Sequence, residues 1–460
     1  MIILGTNSIK ASGFDVDYSC RFDNPNTPNS DTATDYLTRT FSAGNRRTFT
    51  ISYWVKRGNL NPANSFQQVI GQQASDYFRV GFGSNEQGNI FRMYGRGNFE
   101  FRTKRFARDV AAWYHVCLSI DTTQGTESNR AKLYINGVQE TEFYTANYPS
   151  QNTELDYNRG ARHTIGKTGG TNGIDAFPGY LAQIVSIDGS ALAPTDFGEF
   201  DADSGIWKPI DVSGLTFGSQ GFFLDFADAA DLGDDESGNG NDWTETGIAA
   251  INQVTDTPTN NFATLNPLIF ESSANTFAEG NLKITGSGAD SWTTHYGLST
   301  IAVSTGKWFV EVKVTNAVTS QAILGLISTS QALSGSLKDF GTVCVEREGR
   351  ITGGGNNIQT GLTAFATNDI AGIAFDATNG TVQFYRNGSA YGNAISSIAS
   401  DTYYFATTHY DAAGSVEFNF GNPPYAISSG NADGDGYGNF EYAVPSSYYS
   451  LNTKNLAEYG

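Results

Sequence analysis

Short runs in which apolar and polar positions alternate recur along the whole chain. Residues 47–57 read RTFTISYWVKR, with Phe49, Ile51, Tyr53 and Val55 on one face and Thr50, Ser52 and Trp54 on the other. A period of two is the signature of a strand with one face in a core. Trp54 on the second face predicts that this face is partly covered too. Residues 66–82 and 89–103 predict further strands separated by Gly and Asn turns. Residues 113–120 (WYHVCLSI) and 131–138 (AKLYINGV) predict two more, the latter ending in a tight Asn136-Gly137 turn. Strands at 163–167 and 180–187 follow. A short helix or turn is expected over 190–200, and 217–226 returns to close the sheet.

The second half repeats the pattern. In residues 306–315 (GKWFVEVKVT), Trp308, Val310, Val312 and Val314 share one face, while Phe309, Glu311 and Lys313 share the other. Residues 322–327 form an apolar strand. Residues 369–375 run through a DATNG turn into 381–386, and Asn387-Gly388 makes the next turn. Strands at 403–407 and 415–420 complete the set. The expected fold class is all-β: two antiparallel sandwiches in tandem, with a Gly/Asn/Thr-rich connector.

Composition supports this reading. In 460 residues, 52 are Gly, aromatics make up 13% and charged residues only 16%, which suits many short strands joined by polar turns. The net charge of −19 disfavours a phosphate backbone as partner. No apolar run reaches the length of a membrane span, so membrane insertion is not expected. The first residues lack the basic and apolar segments of a secretory leader. Cys20, Cys117 and Cys344 are odd in number and far apart, which predicts buried thiols rather than a disulfide framework.

Three sets of blocks carry family resemblances. FTISYWVKR, WYHVCLSIDTT with AKLYINGVQ, and HTIGKTGG with YLAQIVSIDGSAL resemble the laminin-G-like branch of the concanavalin A-like jelly rolls, over residues 15–226. GKWFVEVKV, DIAGIAFDATNGTVQFYRNG and SVEFNFGNPPY resemble the SPRY domain, over 276–426. These resemblances imply two concanavalin A-like sandwiches of the kind that bind glycans, proteins or peptides, some laminin-G-like members with calcium. RTFTISYWVKRG, LDFADAADLGDDESGNGNDWT, NQVTDTPTNNFATLNP and GNFEYAVPSSYYSLNTKNLAEYG, in that order, resemble structural proteins of tailed bacteriophages, especially marine and cyanobacterial ones. That resemblance implies a virion location, contacts with other virion proteins and with a host-surface glycan or protein, and a homo-oligomer, perhaps a trimer in the manner of tail fibres. The expected division is 1–226, a connector at 227–275, 276–426, and an aromatic tail at 427–460 that packs on the second sandwich or a neighbouring chain.

Catalytic groupings are weak. Retaining glycoside hydrolysis needs two carboxylates about 5 Å apart. Glu154 and Asp156 lack a third acid, and Glu199, Asp201 and Asp203 follow a turn signal. His115, His163, His295 and His409 are scattered; His115 and Cys117 share a strand face, but nothing in the sequence orients them. No enzyme activity is therefore expected. Binding is expected instead at aromatic residues in or near loops, which stack on sugar faces: Tyr77, Tyr94, Tyr144, Tyr148 and Tyr157 in the first half, and Trp292, Tyr296, Tyr391 and Tyr410 in the second. No cofactor is expected beyond calcium, for which Asp234, Asp235, Asn239 and Asn241, and separately Asp433 and Asp435, offer oxygen ligands. For the first cluster a plain Gly-Asn turn is the favoured reading.

Overall fold

A computed structural model describes residues 13–24, 34–60, 65–73, 77–85, 88–168, 175–269, 275–286, 296–318, 321–333, 336–410 and 413–460. The chain is all-β and divides into two compact units, Ala11–Thr259 and a second formed chiefly by Asn260–Gly460.

In the first unit, two antiparallel sheets face each other. One runs Val138–Gln139, Ala131–Ile135, Trp113–Asp121, Thr48–Arg57, Gly179–Asp188, Ser19–Phe22, Gln253–Val254. Phe222–Leu224 also pairs with Gly179–Asp188, so the expected return strand is present. The other runs Phe143–Asn147, Glu100–Phe106, Gly88–Tyr94, Tyr77–Asn85, Ser65–Gln73, Arg162–Ile165, Tyr36–Thr40, Thr244–Thr246. Phe49, Ile51, Tyr53 and Val55 enter the core against Phe78, Val80, Phe82, Phe91 and Met93, as their alternation predicts. The opposite face of the first sheet is covered as well: Trp54 packs with Trp113, Tyr180 and Trp207. The segment laid over it begins with the short helix Pro194–Asp196.

The boundary between units falls elsewhere than the sequence suggests. Residues 227–275 are expected to be a connector, yet Thr244–Thr246 and Gln253–Val254 close one edge of each sheet of the first unit. Asp256 anchors the stretch. Its carboxylate accepts from Lys56 Nζ at 2.6 Å and from Trp113 Nε1 at 3.0 Å, and both charged side chains of the ion pair are fully buried. Ser19 Oγ donates to the Asp256 carbonyl at 2.6 Å. Polar Thr/Asn/Asp composition marks a linker only where those groups face water; here they satisfy buried backbone and a buried ammonium.

The second unit has sheets of the same kind. One runs Asn275–Ala278, Lys283–Gly286, Ser415–Asn419, Lys307–Asn316, Ile370–Asp376, Thr381–Arg386, Ser389–Ile395. The other runs Tyr296–Val303, Tyr403–His409, Gln321–Ser328, Val343–Glu346, Arg350–Gly353, Asn356–Gln359. Trp308, Val310, Val312 and Val314 fill the core between them. The C-terminal segment straps the outer face: Phe440 meets Phe309 edge-on at 5.2 Å. The amides of Glu441 and Tyr442 donate to the Glu311 carboxylate at 3.0 and 2.9 Å. Tyr449 stacks on Tyr459 of the closing helix Thr453–Tyr459. The aromatic tail is thus a built part of the second unit.

Candidate functional site

The second sheet of the first unit shows how a site can arise from alternation alone. Along Gly88–Tyr94, Phe91 and Met93 point inward, leaving Arg92 and Tyr94 on the outer face; along Tyr77–Asn85, Phe78, Val80 and Phe82 do the same for Tyr77 and Arg79. Register sets Arg79 opposite Tyr94, Tyr94 opposite Glu100, and Glu100 opposite Asn147. Four strands therefore deliver aromatic, amide and charged groups to one end of the sheet.

Those groups form a cleft of about 680 Å³. The rings of Tyr77 and Tyr94 meet edge-on at 5.4 Å. Arg79 lies over both rings, at 5.0 and 5.7 Å, and is tied to Asp175 at 2.7 Å. Arg92 lies over Tyr94 at 4.5 Å and is paired with Glu100 at 2.8 Å. The guanidiniums thus hold the tyrosine platform rigid. Opposite stands Tyr148, edge-on to Phe101 at 5.2 Å. Between them the turn after Tyr94 closes with Gly95 N donating to Phe99 O at 2.9 Å, and carries Asn98 at φ 60°. Asn147 and Glu127 complete the rim. Towards the described residues the side chains of Asn98, Asn147 and Glu127 make no hydrogen bond, and all three are exposed.

The structure sorts the tyrosines proposed from sequence. Tyr77, Tyr94 and Tyr148 converge on the cleft. Tyr144 is exposed on the neighbouring Phe143–Asn147 strand without lining it. Tyr157 is no surface ligand: it is fully buried, donates to Ser186 Oγ at 2.9 Å, and packs on Phe49 and Phe78. Burial raises its phenol far above the ordinary value. Tyr296 and Tyr391 are corrections of the same kind, buried at 3% and 6% exposure; Tyr391 donates to the Thr363 carbonyl. Tyr410 is exposed. Trp292 lies outside the described residues. Sequence reasoning passed over Arg92, Asn98, Glu100, Glu127 and Asn147, because cross-strand register, not local pattern, gathers them.

The acidic motifs are occupied as structural acceptors. Asp235 takes hydrogen bonds from the amides of Phe223, Ser237 and Asn241 and from Ser237 Oγ. Asn239 and Asn241 donate to carbonyls in the 218–221 turn. The motif is a clasp inside the first unit. Asp234 is half-exposed; desolvation, followed by the neighbouring acids Asp242 and Asp231, raises its carboxyl. Asp433 accepts from the amides of Asp435, Tyr437 and Ser450, from Ser450 Oγ and from Asn455 Nδ2. Asp435 accepts from Tyr459 Oη at 3.2 Å. Among the described residues, no group of three or more His, Cys, Asp or Glu side chains is placed to hold a metal ion.

One hydrogen bond superficially suggests nucleophile chemistry. Ser52 Oγ lies 2.8 Å from His115 Nε2. Trp207 Nε1, which can only donate, points at His115 Nδ1 at 3.0 Å. Nδ1 is therefore the acceptor, Nε2 carries the proton, and Ser52 accepts it. Burial holds the imidazole near a pKa of about 3, so it stays neutral and takes no proton from Ser52. Among the weighed carboxylates, Glu199 and Asp201 pair with Lys208, and Glu154 and Asp156 pair with Arg46.

With the geometry established, comparison with known proteins adds the families. Residues 31–195 match the model of the concanavalin A-like lectin/glucanases superfamily designated Laminin_G_3. Residues 307–423 match the SPRY domain. The chain joins a laminin G-like domain to a SPRY domain. No curated protein matches it. Among solved structures, the SPRY domain of human HERC1 is similar at 16% identity and TM-score 0.29, covering 34% of this chain and 96% of that one. A heptameric SAP-like pentraxin from Limulus polyphemus is similar at 16% and 0.29, covering 39% and 80%. Domain 4 of AbnA, an extracellular GH43 arabinanase from Geobacillus stearothermophilus in complex with arabinotriose, is similar at 19% and 0.25, covering 34% and 66%. The tyrosine cleft lies within the laminin G-like domain. Among the described residues, no helix is long and apolar enough to cross a membrane.

Proposed function

We propose that this chain is a surface protein of a phage virion, a component of a tail fibre or other appendage. In this reading its laminin G-like domain holds a host-surface glycan without cleaving it, and the SPRY domain supplies a second binding or docking module. One observation carries the binding role: Tyr77, Tyr94 and Tyr148 converge on a cleft rimmed by the amides of Asn98 and Asn147. Aromatic faces with hydrogen-bonding groups around them match a sugar ring, whose C–H face is apolar and whose edge is hydroxylated. The virion setting rests on the resemblance of the ordered sequence blocks to structural proteins of tailed phages. The chain is proposed to act as a homo-oligomer beside other virion proteins, without nucleic acid as partner.

The test is a pull-down of host cells and of their purified surface polysaccharide with the intact protein and with a Tyr77→Ala variant. Capture that Y77A abolishes supports the reading. No capture of cells or polysaccharide refutes adhesion and favours a protein that joins or decorates virion parts. Antibody labelling of intact particles checks the location, and a solution mass measurement checks the oligomer.

A further inference from the structure

The charge arrangement of the same cleft narrows the ligand, an inference that rests on the glycan-binding reading. Glycan sites that take uronic or sialic acids present a cation whose donors are available to the sugar carboxylate, most effectively a bidentate guanidinium. Arg92 is the single cation among the described residues lining this cleft. Its Nε and Nη2 both bond Glu100, at 2.9 and 2.8 Å, and its flat face lies over Tyr94. Arg79, behind the platform, is likewise engaged by Asp175. Glu127 remains, an exposed carboxylate on the short helix Glu127–Asn129 with no cation paired to it among the described residues. The described lining residues carry one positive and two negative charges, in a chain of net charge −19.

We infer that the cleft selects an uncharged glycan and rejects acidic ones: Tyr77 and Tyr94 stack on the ring, Asn98 and Asn147 read its hydroxyls, and Glu127 accepts from a hydroxyl while repelling a carboxylate. A neutral ligand makes no net ion pair with the site, so its affinity is nearly independent of salt.

The experiment is calorimetric titration of the full chain with neutral hexasaccharides (maltohexaose, mannohexaose and arabinohexaose) and with acidic probes (hexagalacturonate and sialyllactose). Titrations run at about 50 and about 500 mM NaCl, a span over which exposed charge interactions are largely screened. The expected result is binding of at least one neutral probe, changed less than about twofold by salt. Y77A should weaken it about tenfold or more. Glu127→Gln should weaken it only a few-fold while relieving the exclusion of the acidic probes. Both positions are exposed, so both variants should fold, and an unchanged thermal midpoint verifies this. Tighter binding of an acidic probe that Y77A abolishes overturns the selectivity but leaves the glycan site standing. Binding of no probe, or binding that Y77A leaves intact, overturns the site itself.

Discussion

Replacing Asp256 tests how the end of the first unit is held. Asp256→Ala removes the acceptor 2.6 Å from Lys56 Nζ and 3.0 Å from Trp113 Nε1, in a place where the side chains of Lys56 and Asp256 are fully buried. Burial already pulls the Lys56 pKa down, and the Asp256 charge is what offsets it. Breaking such a pair by removing one partner costs about 3–5 kcal/mol, because the buried ammonium loses the carboxylate that bonds it. For a unit of about 250 residues, an unfolding entropy of about 0.5 kcal/mol/K converts 4 kcal/mol into a fall of about 8 °C in the midpoint. Differential scanning calorimetry of the full chain reads it directly. The double variant Lys56→Met with Asp256→Leu removes both charges and should recover much of the loss, short of the indole N–H that still lacks its acceptor. A midpoint within about 2 °C of wild type for D256A, or a double variant no better than the single one, would refute the account of Asp256 as a buried anchor.

Other consequences follow from single residues. Burial pushes the Glu311 carboxyl up to about 7 despite its hydrogen bonds from Glu441 N, Tyr442 N and Asn419 Nδ2. Its unfolded value is about 4.3, so the folded state holds the extra proton between the two values. The resulting stability is complete below about 4.3 and is lost as pH rises through 7, on the order of 3 kcal/mol in all. Urea titrations from pH 4 to 8 should show this slope in wild type and a flatter one in Glu311→Gln. Asp235→Ala should lower stability by about 2–3 kcal/mol by orphaning the Phe223 and Asn241 amides, measured by guanidinium unfolding. Gly137→Ala places a methyl 2.3 Å from the Trp207 ring at φ +75° and should destabilise by more than about 2 kcal/mol, whereas Gly125→Ala meets nothing within 4 Å and should be near neutral in the same assay. Treatment with EDTA should leave the thermal midpoint unchanged, because Asp235 and Asp433 are already saturated by protein donors.

The faces of the long strands were legible because burial imposes period two on them: Ile51 and Val312 lie in cores, and Trp54 is covered on the other side. The Asn136-Gly137 and Asn387-Gly388 turns were equally plain, since both need left-handed backbone, at φ 49° and 75° and at 49° and 76°. Residues 244–256 read as a connector because strand pairing at a sheet edge uses backbone groups and tolerates Thr, Glu and Gln side chains. Tyr157 and Tyr391 show the complementary limit: a tyrosine beside a turn looks available, yet its direction depends on packing partners distant in sequence. Tyr77, Tyr94 and Tyr148 were identifiable as aromatics near turns. Their meeting with Glu100 and Asn147 depended on register across four strands, which no local pattern encodes.

The pairing of Ser19–Phe22 with Gln253–Val254 carries a consequence for modular exchange. Ser19 sits opposite Val254, and the Val16 amide donates to Thr259 Oγ1 at 3.1 Å, so the two extremities of the first unit emerge side by side. A segment with neighbouring extremities can be spliced into a surface turn of an unrelated host without stretching either flank. A recombination cut that keeps the Asp256 anchor and the Val16–Thr259 contact must therefore fall beyond Thr259, not at 226.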